Sequence, residues 1–138
     1  MCGFFCLLGK NAHKLSKSQI DHINKTLKHR GPDDYQALKG ENFNTLFWRL
    51  SIVDQDLGKQ PMSTSDKKLT VLFNGEIYNY QEIKNQIKDS YNFQTHSDTE
   101  VILAAFIKWG IECFDYFEGM FAITIIDHFN QKVYLARD

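Results

Sequence analysis

The sequence predicts an α+β layered sandwich, and three features carry that expectation. Strand-like apolar runs outnumber helical ones. The helical segments come in twos between pairs of strands, which favours a layered sandwich over a parallel doubly wound sheet. The last third, MFAITIID, HFNQ and KVYLARD, reads as two strands joined by a short turn, and so tight a connection suits only an antiparallel pair. At 138 residues the chain is long enough to bury a core without staples.

The elements follow in order. Residues 3–8, GFFCLL, form a short apolar run that reads as a buried strand. Ser16 with Gln19 makes a capping box, and Ile20, Ile23 and Leu27 then recur at helical spacing. That helix is expected to reach about His29, because Gly31-Pro32 cannot continue it. Two strand-like runs lie near 35–40 and 44–51, followed by a polar loop over 54–66 that holds Pro61. KLTVLF, residues 68–73, is a further strand expected to stop at the turn dipeptide Asn74-Gly75. Tyr80, Ile83 and Ile87 mark one face of a short helix. Ser97 with Glu100 reads as a second capping box, opening an apolar helix that stops at Gly110. The chain ends on Ala136-Arg137-Asp138 at a strand edge, which leads us to expect an incomplete fold.

Composition removes several function classes. Sixteen basic and seventeen acidic residues give a net charge of −1 with no basic block, so no phosphate-neutralising surface for nucleic acid is expected. No apolar run approaches the roughly 20 residues of a membrane helix. The N-terminus lacks the basic region and cleavage site of a secretory signal, and its second residue is not the glycine that myristoylation needs. The cysteines number three, Cys2, Cys6 and Cys113. An odd count without a signal argues for a reducing, cytoplasmic setting and against a disulfide framework. The Cys2-x3-Cys6 spacing does not suit zinc, and no metal site is expected. Cys6 and Cys113 read as buried thiols behaving as small hydrophobes.

Cys2 reads differently. Loss of Met1 would give it a thiol and a free α-amine on one residue. In model peptides an α-amine titrates near pH ~8 and a thiol near ~8.5, so such an amine can take the thiol proton at neutral pH. Arg49 lies in an otherwise apolar strand, where a guanidinium is commonly aimed at a carboxylate. Asn74 and Gly75 set an amide side chain beside a glycine N–H at a strand end, a pairing that suits an oxyanion hole. Asp98 stands in a helix first turn, where it can cap the helix or face an ammonium group. HRGPDD, residues 29–34, reads by itself as a helix end with a tight turn. Together these groups are the parts needed to hydrolyse the side-chain amide of a free α-amino acid.

The motifs MCG at 1–3, HRGPDD at 29–34, RLSIVD at 49–54, NGEIYN at 74–79, SDTE at 97–100 and LARD at 135–138 occur in one order along nearly the whole chain. In that order they resemble the glutaminase domain of the asparagine synthetases, which are class II (N-terminal nucleophile) glutamine amidotransferases. The resemblance implies a four-layer αββα sandwich, here a partial type 2 amidotransferase domain over 1–138 with the synthetase domain absent. It implies Cys2 as nucleophile with its amine as base, and Asn74 and Gly75 as the oxyanion hole. Arg49 would hold the glutamine carboxylate, Asp98 and Glu76 its amino group, and Ile52 and Val53 would line the pocket. Glutamine would pass to glutamate through a γ-glutamyl thioester and release ammonia. The ammonia would amidate aspartate in the missing domain, present in cis or in trans. No cofactor is implied for this chain, since ATP and magnesium belong to the synthetase domain and no Gly-rich nucleotide loop occurs here. A homodimer is compatible with the resemblance.

Two departures qualify the match. Cys6 stands where the family commonly has glycine, and the family's domain continues past LARD with further strands. Two other readings are therefore carried. One is a non-catalytic module that binds glutamine or docks a partner. The other is the glutaminase part of an amidotransferase with a different acceptor.

Overall fold

Ser16 starts the first helix as the sequence predicts, and both halves of its capping box form. Its hydroxyl accepts from the Gln19 N–H, and the Gln19 side chain accepts from the Ser16 N–H at 2.9 Å. The computed structural model describes residues 2–51 and 57–138. The chain divides into two units, Met1–Ser51 and Ile52–Asp138.

In the first unit, strands β1 (Gly3–Leu8), β2 (Asp34–Lys39) and β3 (Phe43–Arg49) form an antiparallel sheet in the order β1-β3-β2. The register sets Gly3 opposite Trp48 and Asp34 opposite Arg49. Helix α1 (Lys17–Leu27) connects β1 to β2 and gives way to a single 3₁₀ turn, Lys28–Arg30, before Gly31-Pro32 ends it. The Trp48 indole N–H reaches back to Asn24 Oδ1 on α1 at 2.9 Å, so a buried strand residue ties helix to sheet.

In the second unit, β4 (Met62–Ser63), β5 (Leu69–Ile77), β6 (Gly119–Asp127) and β7 (Lys132–Arg137) form an antiparallel sheet in that order. Helices α2 (Tyr80–Ile87) and α3 (Asp98–Trp109) lie between β5 and β6 in sequence. Val71, Phe73 and Ile77 of β5 and Phe121, Ile123 and Ile125 of β6 share a core with Ile83, Ile87, Ile102, Leu103 and Phe106 of the helices. Each such side chain contributes about 1.5–3 kcal/mol through burial. The first nine residues of α3 are all buried, Asp98 and Glu100 included. That explains its nearly continuous apolar sequence.

Two sequence expectations are corrected. Asn74-Gly75 is no turn: β5 runs through it to Ile77, with Asn74 opposite Ala122 and Gly75 opposite Phe121. The dipeptide signals Gly75's backbone instead, at φ +150°, where a Cβ would stand 2.0 Å from the Met120 carbonyl oxygen. The second capping box is half formed. Ser97 caps the Thr99 N–H at 3.1 Å, but the Glu100 carboxylate leaves the helix to accept from the Gln94 and Thr95 N–H groups and the Thr95 hydroxyl. The loop ahead of α3 offered it more donors than the helix end did. The expected polar loop over 54–66 carries β4 in its described part; residues 54–56 lie outside the described residues.

Candidate active site

The sequence-predicted residues fall into two groups, one in each unit. In the first, β1 brings Cys2 alongside the end of β3, since the register that pairs Gly3 with Trp48 sets Cys2 beside Arg49. The Leu50 N–H donates to Cys2 Sγ at 3.3 Å, and the thiol faces the Leu50 carbonyl at 3.6 Å. The Cys2 carbonyl accepts from Arg30 Nε at 3.0 Å. This terminus is therefore tied down, unlike most.

Arg30 belongs to HRGPDD, and the structure gives that motif a purpose beyond ending a helix. Gly31 lies so close to β3 that a Cβ would sit 2.2 Å from the Trp48 carbonyl oxygen. The Asp33 N–H donates to the Arg49 carbonyl at 3.0 Å, and its carboxylate accepts from the Ser51 N–H at 2.7 Å. One turn thus grips Cys2 on one side and the backbone around Arg49 on the other. Sequence reasoning missed Arg30 and Asp33 as positioning residues, because their partners are backbone groups far away in the chain. Arg49 itself is buried. Ile52 and Val53 lie outside the described residues.

The second group surrounds the far end of β5. Backbone groups of an antiparallel strand alternate between the partner and the opposite edge. Phe121 exchanges bonds with Asp138, its N–H reaching Asp138 Oδ1 at 2.9 Å and its carbonyl accepting the Asp138 N–H at 3.2 Å. The Gly75–Phe121 pair is therefore one without ladder bonds, and the odd-numbered residues of β5 turn their N–H groups away from β6. The Phe73 N–H meets Gln60 Oε1 at 2.7 Å and the Ile77 N–H meets Asp98 Oδ2 at 3.3 Å, as that alternation requires. Between them the Gly75 N–H has no hydrogen-bond partner among the described residues. Asn74 presents a buried Oδ1 that also has none there. A buried acceptor left so costs about 1–3 kcal/mol, and orphaned groups of this kind mark binding or catalytic positions.

Asp98 opens α3, buried, and its carboxyl is pushed up to about 6. Burial is the main cause and the Glu76 charge adds to it, while N–H groups of Ile77 and Thr99 pull the other way. A buried carboxylate with a second carboxylate nearby is a place where a cation gains most. Two further thiols lie outside both groups. Burial raises Cys113 to about 12 and the half-buried Cys6 to about 11, which leaves both protonated at neutral pH. Among the described residues no group of three or more His, Cys, Asp or Glu is arranged to hold a metal, and no helix is long and apolar enough to cross a membrane.

The α+β architecture has a counterpart among solved amidotransferases. The phosphoribosylpyrophosphate amidotransferase of Bacillus subtilis, solved with ADP and GMP, matches 73% of this chain and 24% of its own with a TM-score of 0.57. At 21% identity that likeness shows the α+β fold alone. The sequence goes further: the family model described as a glutamine amidotransferase domain matches residues 1–138, and the chain belongs to that family. Asparagine synthetase [glutamine-hydrolyzing] 2 of Oryza sativa is 40% identical over 139 residues, covering all of this chain and 23% of the rice protein. Asparagine synthetase 1 of Bacillus subtilis is 38% identical, and asparagine synthetase B of Escherichia coli 36%. Each covers the whole chain, which spans 22% and 25% of their respective lengths. The chain is a glutamine amidotransferase domain homologous to those of asparagine synthetases, and spans about a quarter of the curated relatives it matches.

Proposed function

We propose that this domain hydrolyses glutamine to glutamate and ammonia with Cys2 as nucleophile. Once Met1 is removed, the Cys2 α-amine takes the thiol proton and sulfur attacks the side-chain amide carbon. The carbonyl oxygen gains negative charge and accepts hydrogen bonds from the Asn74 side-chain NH2 and the Gly75 N–H. Collapse breaks the C–N bond, the amine returns its proton to the departing ammonia, and a γ-glutamyl thioester remains. Water, deprotonated by the same amine, releases glutamate and restores the thiol. Arg49 holds the substrate carboxylate, and Asp98 with Glu76 takes its ammonium group; Ile52 and Val53 are the further pocket residues of this reading.

The acceptor reading follows the relatives' names: the ammonia amidates aspartate in a synthetase domain supplied in cis or in trans. ATP and magnesium belong to that domain. The described residues here do not fit a metal site, and no step above runs through either. A cytoplasmic setting agrees with the three unpaired thiols.

One observation carries the reading. The second residue of the chain is anchored at both its carbonyl and its thiol, by Arg30 and by the Leu50 N–H. The test is intact-mass spectrometry of untagged protein before and after a glutamine-analogue diazo-ketone. Loss of Met1 and a single adduct on Cys2 is the expected result. Processed protein without an adduct would move the reading to a glutamine-binding module without turnover.

A further inference from the structure

The strand β4 stops short. It pairs with β5 at Met62–Val71 and Ser63–Thr70, and the Thr64 N–H reaches the Leu69 carbonyl at 3.0 Å. Continuing that register sets Pro61 opposite Leu72 and Gln60 opposite Phe73. The main-chain pairing ends at Met62, and the Gln60 side chain takes over. Gln60 is buried at 6% exposure, and its Oε1 accepts the Phe73 N–H at 2.7 Å, where a strand would have placed a backbone carbonyl.

We infer that Gln60 is a positioning residue for the oxyanion donors. It caps the outward N–H just before Asn74-Gly75, as Asp98 caps the one just after, and leaves the Gly75 N–H as the open donor between them. A longer β4 would have gone on to pair with Gly75 and occupy that donor. A side chain satisfies one N–H and then stops. An apolar residue at 60 would leave the Phe73 N–H buried and unpaired, freeing β5 to twist there and shift Asn74 and Gly75. This inference rests on the glutaminase reading above, and its test separates the two.

The experiment is backbone amide hydrogen exchange by NMR on the 138-residue chain, with glutamine hydrolysis measured alongside. Phe73 and Ile77 are expected to be protected, with Gly75 exchanging far faster than either. Gln60→Met, which keeps the side-chain volume and loses the acceptor, should remove the Phe73 protection. It should also lower kcat about tenfold or more, as small displacements of catalytic groups do, while the glutamine KM stays within about threefold. Gln60→Glu, which keeps an acceptor at the same reach, should restore the protection and recover most of kcat. Protection of Gly75 in the wild-type chain overturns the inference whether or not glutamine is hydrolysed. So does a Gln60→Met variant with wild-type kcat. A wild-type chain that shows the expected exchange pattern and hydrolyses no glutamine overturns the glutaminase reading and leaves the arrangement of the strand edge standing.

Discussion

The N–H of Leu50 donates to the Cys2 sulfur at 3.3 Å, joining the second residue of the chain to the residue that follows Arg49. The other two thiols are held protonated by burial. Cys6 near 11 and Cys113 near 12 hold only a trace of thiolate at pH 8. Limited iodoacetamide at that pH should modify Cys2 alone, as read by peptide mass mapping. Cys2→Ala should abolish both the labelling and glutamine turnover while leaving the circular-dichroism spectrum unchanged. Turnover surviving in that variant would remove Cys2 from the nucleophile role.

Arg49 is buried at the end of β3. A planar fork that grips a carboxylate through two parallel bonds is poorly replaced by a single ammonium. Arg49→Lys should raise the glutamine KM about tenfold or more with a smaller effect on kcat, measured by ammonia release over a glutamine series. A KM within twofold of wild type would place the substrate carboxylate elsewhere.

Much of this was legible beforehand, and the boundary has a physical cause. Ser16, Gly31-Pro32 and Gly110 act within one turn of chain, so the limits of α1 and α3 could be read from local pattern. Cys2, Arg49, Asn74 and Asp98 stood out because a reactive, charged or amide group among apolar neighbours is conspicuous in one dimension. Arg30, Asp33 and Gln60 did not, because each serves a backbone group from 13 to 28 residues away and side-chain type alone does not announce that. Gly75 misled for the same reason. The Asn74-Gly75 dipeptide was visible, but whether a turn or a tight strand pair required the glycine depended on Met120, far along the chain.

Asp98 supplies a pH prediction with a definite sign. Its carboxyl is raised from the ordinary value of 3.8 to about 6 in the folded chain. Between roughly pH 4 and 6 the folded state therefore holds more protons than the unfolded one, and stability falls as pH rises through that window. Thermal unfolding should show a loss on the order of 2 kcal/mol from this group across it, and Asp98→Asn should flatten that part of the profile. A bound ammonium favours the ionised carboxylate. The glutamine KM should thus rise as pH falls below about 6 in the wild type and lose that dependence in Asp98→Asn. A KM equally pH-dependent in both proteins would move the ammonium away from Asp98.

Asn74 and Gly75 are neighbours on β5, yet substitution should affect them in opposite ways. Gly75→Ala puts a methyl at φ +150°, 2.0 Å from the Met120 carbonyl and 2.7 Å from the Phe121 Cα, both of them backbone atoms that cannot swing aside. We expect at least about 2 kcal/mol of destabilisation and a Tm lower by roughly 5 °C or more. Asn74→Ala instead removes a buried oxygen that has no hydrogen-bond partner among the described residues. Deleting an unsatisfied polar group is close to neutral for folding, so its Tm should equal or exceed that of the wild type. Its glutamine turnover should nevertheless fall by about 10²–10³, the usual cost of losing one oxyanion donor. Scanning calorimetry and ammonia release on the two variants make the test. An Asn74→Ala protein that unfolds early would show the amide to be structural, and one that keeps full turnover would remove it from the oxyanion hole.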